Sequence, residues 1–193
     1  MFLIVGLGNP GKEYEKNRHN VGFLMLDAVF GDDVWEKDVY AKALIYRGDF
    51  ALQNVVCAKP TTFMNNSGET VQYLLGEERI AVSEMIVIYD DIDLSLGTVR
   101  VSYDRGDGGH NGLKSITSLI GSSEFARIRV GIAPVDEEGN IRKPDDTANY
   151  VLKNFSANEM EKVLLQKEKV AQAISLTINE GVEKAMNVVN GNM

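Results

Sequence analysis

Apolar residues fall along the chain in short runs separated by glycine-rich or polar stretches, a rhythm that suits strands alternating with helices. Residues 2–7 (FLIVGL) are an unbroken apolar run that ends in a Gly-rich turn and read as a buried strand. Residues 20–30 (NVGFLMLDAVF) read as a largely buried helix. Residues 40–47 (YAKALIYR) and 51–58 (ALQNVVCA) predict two strands joined at Gly48-Asp49 as a hairpin. A helix is expected over 66–75, its start weakened by Gly68. Residues 85–89 (MIVIY) predict a buried strand, 98–103 a half-buried alternating one, 111–120 a helix, and 127–133 (RIRVGIA) a second alternating strand. The segment Pro134–Thr147 is polar with two prolines and reads as a mobile surface loop. The end is helical. Ser156 and Glu159 have capping-box spacing, and Met160, Val163, Leu164, Val170, Ile174 and Ile178 recur on one helical face.

Alternating strands and helices imply an α/β fold with helices on both faces of one sheet, and the hairpin makes that sheet mixed rather than purely parallel. No repeat, low-complexity tract or linker divides the chain, so residues 1–193 are expected to form a single domain. With 44% hydrophobic residues the chain has ample apolar surface for a core. No apolar run reaches the ~18–20 residues of a membrane span. The apolar N-terminus lacks a basic leader and is not read as a signal peptide. The single Cys57, inside NVVCA, is a core thiol on this reading, and a reducing cytoplasm fits a chain that cannot form an internal disulfide. A net charge of −8 argues against general nucleic-acid binding, because phosphate contacts need cations, so any such attraction must be local.

Several polar residues stand just beyond apolar runs: Asn9 after the first strand, Asn65 after VVCAKPTTFM, Asp90 after MIVIY, and His110 with Asn111 after the Gly-rich stretch. In open α/β sheets, sites gather at the carboxyl ends of parallel strands, and His19, at the start of the first helix, can reach the same rim. Such a group suits acyl transfer to water. A neutral imidazole takes a proton from the attacking water, a carboxylate behind it fixes the tautomer, and asparagine amides donate to the oxyanion. At His19 a helix N-terminus favours the neutral ring and an Asp partner favours the charged one.

Other readings compete for the same residues. G-L-G-N-P-G at 6–11 fits a dinucleotide fingerprint, but K-E-Y-E-K-N-R follows where a helix with an apolar stripe belongs, and Asp27, at the distance of a ribose contact, lies inside an apolar run. Asp90, Asp91 and Asp93 have the makings of a Mg²⁺ site or of a solvated loop. Two histidines and one cysteine supply a zinc site poorly. His110 competes with His19 as base and also suits a substrate or helix-capping contact. Ser67, in N-N-S-G, is not in a nucleophile elbow.

Five segments together are more specific. G-L-G-N-P-G at 6–11, R-H-N-V-G at 18–22, P-T-T-F-M-N-N-S-G at 60–68, D-D-I-D-L at 90–94 and G-G-H-N-G-L-K at 108–114 resemble the peptidyl-tRNA hydrolases of bacterial type, in order and in spacing. The resemblance covers nearly the whole chain. It implies a twisted mixed sheet in one α/β domain, and hydrolysis of the ester joining a peptide or N-blocked aminoacyl group to the 3′ ribose of tRNA, which frees tRNA during translation. By position it implies His19 and Asp90 as catalytic residues, and Asn9, Tyr14, Phe63, Asn65 and Asn111 as substrate-binding residues. The expected partner is peptidyl-tRNA, through its acceptor arm and 3′ end, with no metal, no organic cofactor, no membrane and no obligate protein partner. The chain is expected to be monomeric and cytoplasmic. A catalytically inactive RNA-binding protein on the same fold is the alternative, and a dinucleotide-dependent oxidoreductase a third.

The chain also departs from the family pattern. Asn17 stands where Thr is usual before Arg-His-Asn. Asp104 and Asp107 interrupt the Gly-rich stretch before His110. A lysine that some members set against the tRNA 5′ phosphate falls near Ser102, so Arg100 or Arg105 would replace it, and its partner arginine falls at Arg129. Parity puts Arg129 and Arg127 on one side of their strand, opposite Ile128 and Val130, and Arg129 is expected as a surface cation.

Overall fold

The first apolar run becomes β1 (Phe2–Gly6) in the computed structural model, which describes residues 1–191. The chain then forms α1 (Val21–Phe30), β2 (Glu36–Asp38), β3 (Ala43–Phe50), β4 (Gln53–Pro60), α2 (Ser67–Glu77), β5 (Met85–Ser95), β6 (Val99–Tyr103), α3 (Asn111–Ile120) and β7 (Ala126–Ala133). Four helices follow: α4 (Thr147–Val151), α5 (Ala157–Leu164), α6 (Lys167–Glu180) and α7 (Val182–Gly191). The strands make one seven-stranded sheet in the order β2-β3-β4-β1-β5-β7-β6. Its centre, β4-β1-β5-β7, is parallel, and the flanking pairs are antiparallel, so the sheet is mixed as expected.

Strand parity divides the apolar residues between two cores. Ile4, Cys57, Ile88 and Ile128 face α1, α5, α6 and α7, while Leu3, Val5, Val56 and Val87 face α2 and α3. Burial on both faces explains why the central strands read as continuous apolar runs. The connection after β1 leads to β4 on one side, and the one after β4 returns to β5 on the other. The build direction therefore reverses between β1 and β5, and a crevice opens at their carboxyl ends. Two glycines permit close packing there. A Cβ on Gly22 would lie 2.3 Å from the Leu7 nitrogen and 2.4 Å from the Ile88 carbonyl oxygen, so only glycine lets α1 sit directly on β1 and β5. Gly68 does not weaken α2 so much as fit it to α3, because a Cβ would meet the Ser115 carbonyl oxygen at 2.4 Å.

Several expectations need correction. The β3–β4 turn is Ala51-Leu52, not Gly48-Asp49. Phe50 pairs with Gln53, and both turn residues take positive φ (50° and 66°), as a two-residue hairpin loop requires. Gly48 instead lies within β3, opposite Val55. β5 runs six residues past Tyr89 through an irregularity between Asp91 and Ser95, so Asp90 lies in the strand rather than beyond it. All of β7 is buried, because β5 and β6 flank it and both its faces are covered, so its alternation does not mark a solvent face. Arg127 and Arg129 are accordingly buried, and Arg129 is no surface cation. The terminal helix is three helices. Val163, Val170, Ile174 and Ile178 are buried, but Leu164 is exposed because the helical face breaks at Leu165-Gln166. The 134–147 segment is a surface loop, as expected, folded on itself with a Val135–Ile141 bridge and Asp136 accepting from the Asn140 amide. No helix among the described residues is long and apolar enough to cross a membrane.

Candidate active site

His19 lies in a 3-10 turn, Arg18–Asn20, that leads straight into α1. The turn is pinned from far along the chain. Asn17 bridges Asn154 in antiparallel fashion, the Arg18 amide donates to Lys153 O (3.1 Å), and the Phe155 amide donates to Lys16 O (2.8 Å). The Arg18 guanidinium donates to the carbonyls of Lys153 (3.1 Å) and Asn154 (2.8 Å) and to the Glu159 carboxylate (2.8 and 3.0 Å), and lies 4.3 Å from the Tyr150 ring centroid. Glu159 also closes the expected capping box with Ser156. Asn17 makes no side-chain cap, and its backbone bridge to Asn154 holds the turn instead.

So placed, His19 Nδ1 donates to Asp90 Oδ1 at 2.8 Å, and both residues are buried. This fixes the tautomer and leaves Nε2 with its lone pair. Burial alone would lower the His19 pKa, but the Asp90 charge and hydrogen bond outweigh it, and the net shift is upward. Burial pushes Asp90 the other way, but His19 and His110 prevail and hold its carboxyl well below the usual range. His110 is a helix cap, as one reading had it. Its Nδ1 accepts from the Leu113 amide at 3.4 Å, so its Nε2–H is the group that donates to Asp90 Oδ1 at 3.0 Å. One carboxylate oxygen thus accepts from both histidines, whose ring centroids are 4.8 Å apart.

Asn9 follows β1 and is locked from three sides. Its amide donates to Asn20 Oδ1 and its carbonyl accepts from Asn20 Nδ2, both at 2.9 Å, while its Oδ1 accepts from the Met64 amide at 2.8 Å. Only its Nδ2 is left to donate outward. Asn20 was not singled out from sequence; its place in R-H-N, next to the candidate base, was the available signal. Asn65 and Asn111 line an open cavity of about 470 Å³ with Lys114. Asn111 also lines a second cavity, of about 240 Å³, with Asp90, His110, Arg105 and Arg129. Asn111 therefore joins the two spaces. Tyr14 meets the exposed Phe63 edge to face at 6.3 Å, one residue before Met64.

The acidic run is not one site. Asp91 Oδ2 accepts from Arg129 Nε at 2.7 Å, and Asp93 pairs with Lys143. Asp27 pairs with Lys59, which also lies 4.1 Å from the Trp35 ring centroid. Among the described residues, the one group arranged to hold a metal is His19, Asp90 and His110, whose donor atoms are already bonded to one another. Arg105 and Arg129 share a cavity wall, whereas Arg100 lies on β6 directly opposite Arg129. Ser102 is buried beside Arg127, and its Oγ has no partner.

Comparison with known proteins places this arrangement among relatives. The family model described as peptidyl-tRNA hydrolase matches residues 3–193. The peptidyl-tRNA hydrolase of Aquifex aeolicus is 42% identical over 191 residues, covering 97% of this chain and 95% of that protein. That of a Geobacter species is 42% identical over 192 residues, 97% of each. The crystal structure of peptidyl-tRNA hydrolase from Acinetobacter baumannii superposes with a TM-score of 0.86 at 30% identity, covering 98% of this chain and 94% of that one.

Proposed function

The chain belongs to the peptidyl-tRNA hydrolase family, and from that premise we propose that His19, held by Asp90, is the base with which it hydrolyses the ester between a peptide and the 3′ ribose of tRNA. The observation that carries the assignment is the buried 2.8 Å bond from His19 Nδ1 to Asp90, which leaves Nε2 free to act as a base, while Asn20, the next residue, holds Asn9. In this mechanism Nε2 takes a proton from water as the water oxygen attacks the ester carbonyl. Asp90 stabilises the imidazolium that forms. Asn9 Nδ2, with Asn65 and Asn111, donates to the tetrahedral oxyanion, uncharged groups that need no change of protonation. The intermediate then expels the ribose 3′ oxygen, which takes the proton back from His19, leaving a peptide carboxylate and free tRNA.

Tyr14 and Phe63 are read as an aromatic rim against the substrate's 3′ end. Arg129 and Arg105 are read as contacts to the tRNA 5′ phosphate, because they line the same cavity as Asp90 and His110; Arg100 joins them from the neighbouring strand. Binding through the acceptor arm by a monomeric, cytoplasmic single domain spanning 1–193, without metal or organic cofactor, completes the reading. The inactive RNA-binding alternative has no support in the comparisons, and the intact His19–Asp90 pair speaks against it. Release of N-blocked aminoacyl groups from tRNA by the purified protein, with and without EDTA, tests the proposal. Release is expected in both, and its loss in EDTA on an ester lacking the tRNA body would return the His19–Asp90–His110 group to consideration as a metal site.

A further inference from the structure

We infer that Asp91 is a positioning residue that decides which edge of Arg129 faces the tRNA 5′ phosphate; this rests on the reading of Arg129 given above. The Arg129 side chain is 9% exposed and that of Asp91 11%, so neither is an ordinary surface charge. Arg129 stands opposite Tyr89 in the parallel β5–β7 pair, and Asp91, two residues beyond Tyr89, lies on the same face of the sheet. Asp91 Oδ2 takes the Arg129 Nε–H at 2.7 Å. Its other oxygen takes the Asp93 backbone amide, also at 2.7 Å. The carboxylate is therefore anchored to the backbone at one end and to the guanidinium at the other. Asp93 is itself tied to Lys143 of the 134–147 segment, which steadies this irregular end of β5.

A guanidinium is planar and has two hydrogen-bonding edges. Asp91 occupies the Nε side and leaves the pair of terminal amino groups, the edge that grips an oxyanion with two parallel bonds. Arg129 lines the 240 Å³ cavity together with Arg105, His110 and Asp90, so the edge left over belongs to a residue on the wall of a cavity that reaches the carboxylate partner of His19. Lysine cannot divide its donors in this way, since one compact ammonium would sit on Asp91 itself. Asp91 also places a negative charge near an arriving phosphate. Orientation and repulsion therefore oppose each other, and they give different results when the charge alone is removed.

The measured quantity is the ratio of kcat/KM for N-blocked aminoacyl-tRNA bearing a 5′ phosphate to that for the same tRNA with a 5′ hydroxyl. Any loss common to both substrates, including a disturbance of the neighbouring Asp90, cancels. In the wild type the ratio is expected to be about tenfold, the scale of a charge-assisted hydrogen bond. Arg129→Ala should bring it close to one. Asp91→Ala and Arg129→Lys should each lower it at least threefold, whereas Asp91→Asn, which keeps an acceptor for Nε–H, should hold it within twofold of wild type. A wild-type ratio near one, or Arg129→Ala with the wild-type ratio, removes Arg129 from the phosphate site and takes the parent reading with it. If Arg129→Ala behaves as expected, the inference about Asp91 is overturned by any of three results: Asp91→Ala at the wild-type ratio, Arg129→Lys at the wild-type ratio, or Asp91→Asn either well above wild type, which makes Asp91 a competitor of phosphate, or as low as Asp91→Ala. Arg129→Lys preserves the buried charge and so decides the matter even if Asp91→Ala does not fold.

Discussion

The two sides of the β5 carboxyl end are built on different principles. Toward β1, around His19, Asp90, Asn9 and Asn20, one carboxylate serves two histidines and the Asn20 side chain bonds both the amide and the carbonyl of Asn9. Toward β7 and β6 lie Arg100, Ser102, Arg127 and Arg129, a cationic face on buried strands. Here Arg129 is paired with Asp91, and Arg127 lies 4.7 Å from the Phe125 ring centroid and donates from Nη1 to Gly106 O, while Ser102 Oγ is buried without a hydrogen bond. The first region is organised before substrate arrives, as transition-state stabilisation requires. On the proposed reading the second gathers positive charge toward a polyanion, which a chain of net charge −8 has to concentrate locally. If the proposed roles hold, catalysis and recognition adjoin on a single strand and are expected to fail in different ways when mutated.

His19→Ala tests the first side most severely. Single-turnover release of the acyl group should fall by ~10²–10⁴-fold, the usual worth of general base help, on tRNA and short-ester substrates alike. A loss confined to tRNA substrates would erase the distinction between the two regions. Asp90→Asn comes next. Its amide oxygen can still accept from both rings, so the change removes charge more than geometry, and kcat should fall by roughly 10²-fold or more with little change in KM. A pure rise in KM would move Asp90 to the binding side.

The pH profile sharpens the same point. In the proposed mechanism His19 acts as a neutral base, so activity is expected to be lost as pH falls through its pKa, and the Asp90 interaction raises that pKa above the ordinary histidine value despite burial. The acid limb of kcat/KM should therefore lie above the ordinary histidine value in wild type. In Asp90→Asn, burial acts alone and the limb should move to lower pH. A limb that stays in place would assign it to another group. The smallest effect is expected at Arg129. Arg129→Ala should raise KM for peptidyl-tRNA by about tenfold and reduce the salt slope of tRNA binding by about one contact, and a short ester should be nearly indifferent. Equal slopes for variant and wild type would leave the cationic face without a role in binding.

The neutral side of the site was the more legible in sequence, for a physical reason. Asn9, His19 and Asn111 stand at element boundaries that follow from hydrophobic runs, and once the strands are parallel their convergence follows from topology. Asp90 was found despite an error in its setting, since β5 carries on through it. The cationic side was misread because alternation alone cannot distinguish a solvent face from a second buried face. Ile128 and Val130 signalled a core correctly, but nothing local announced that the 104–109 stretch would lie over Arg127, whose Nη1 donates to the Gly106 carbonyl. The Ala51-Leu52 turn was missed because glycine is the usual bearer of positive φ, and here pairing across the whole length of β3 and β4 imposes it on two other residues. The break between α5 and α6 leaves no glycine or proline to mark it.

The clasp on the catalytic turn bears on the order in which the molecule is assembled. Arg18 reaches partners 135 to 141 residues later in the chain. As synthesis proceeds from the N-terminus, His19 and Asp90 leave the ribosome well before Lys153, Asn154 and Glu159. Until those residues arrive, the histidine sits on an untethered turn, and the carbonyls that will receive the Arg18 guanidinium do not yet exist. Competence is thus tied to synthesis of the chain through Glu159, and the stretch from Lys153 to Glu159 acts as a late fastening of a site to which it contributes no reacting atom.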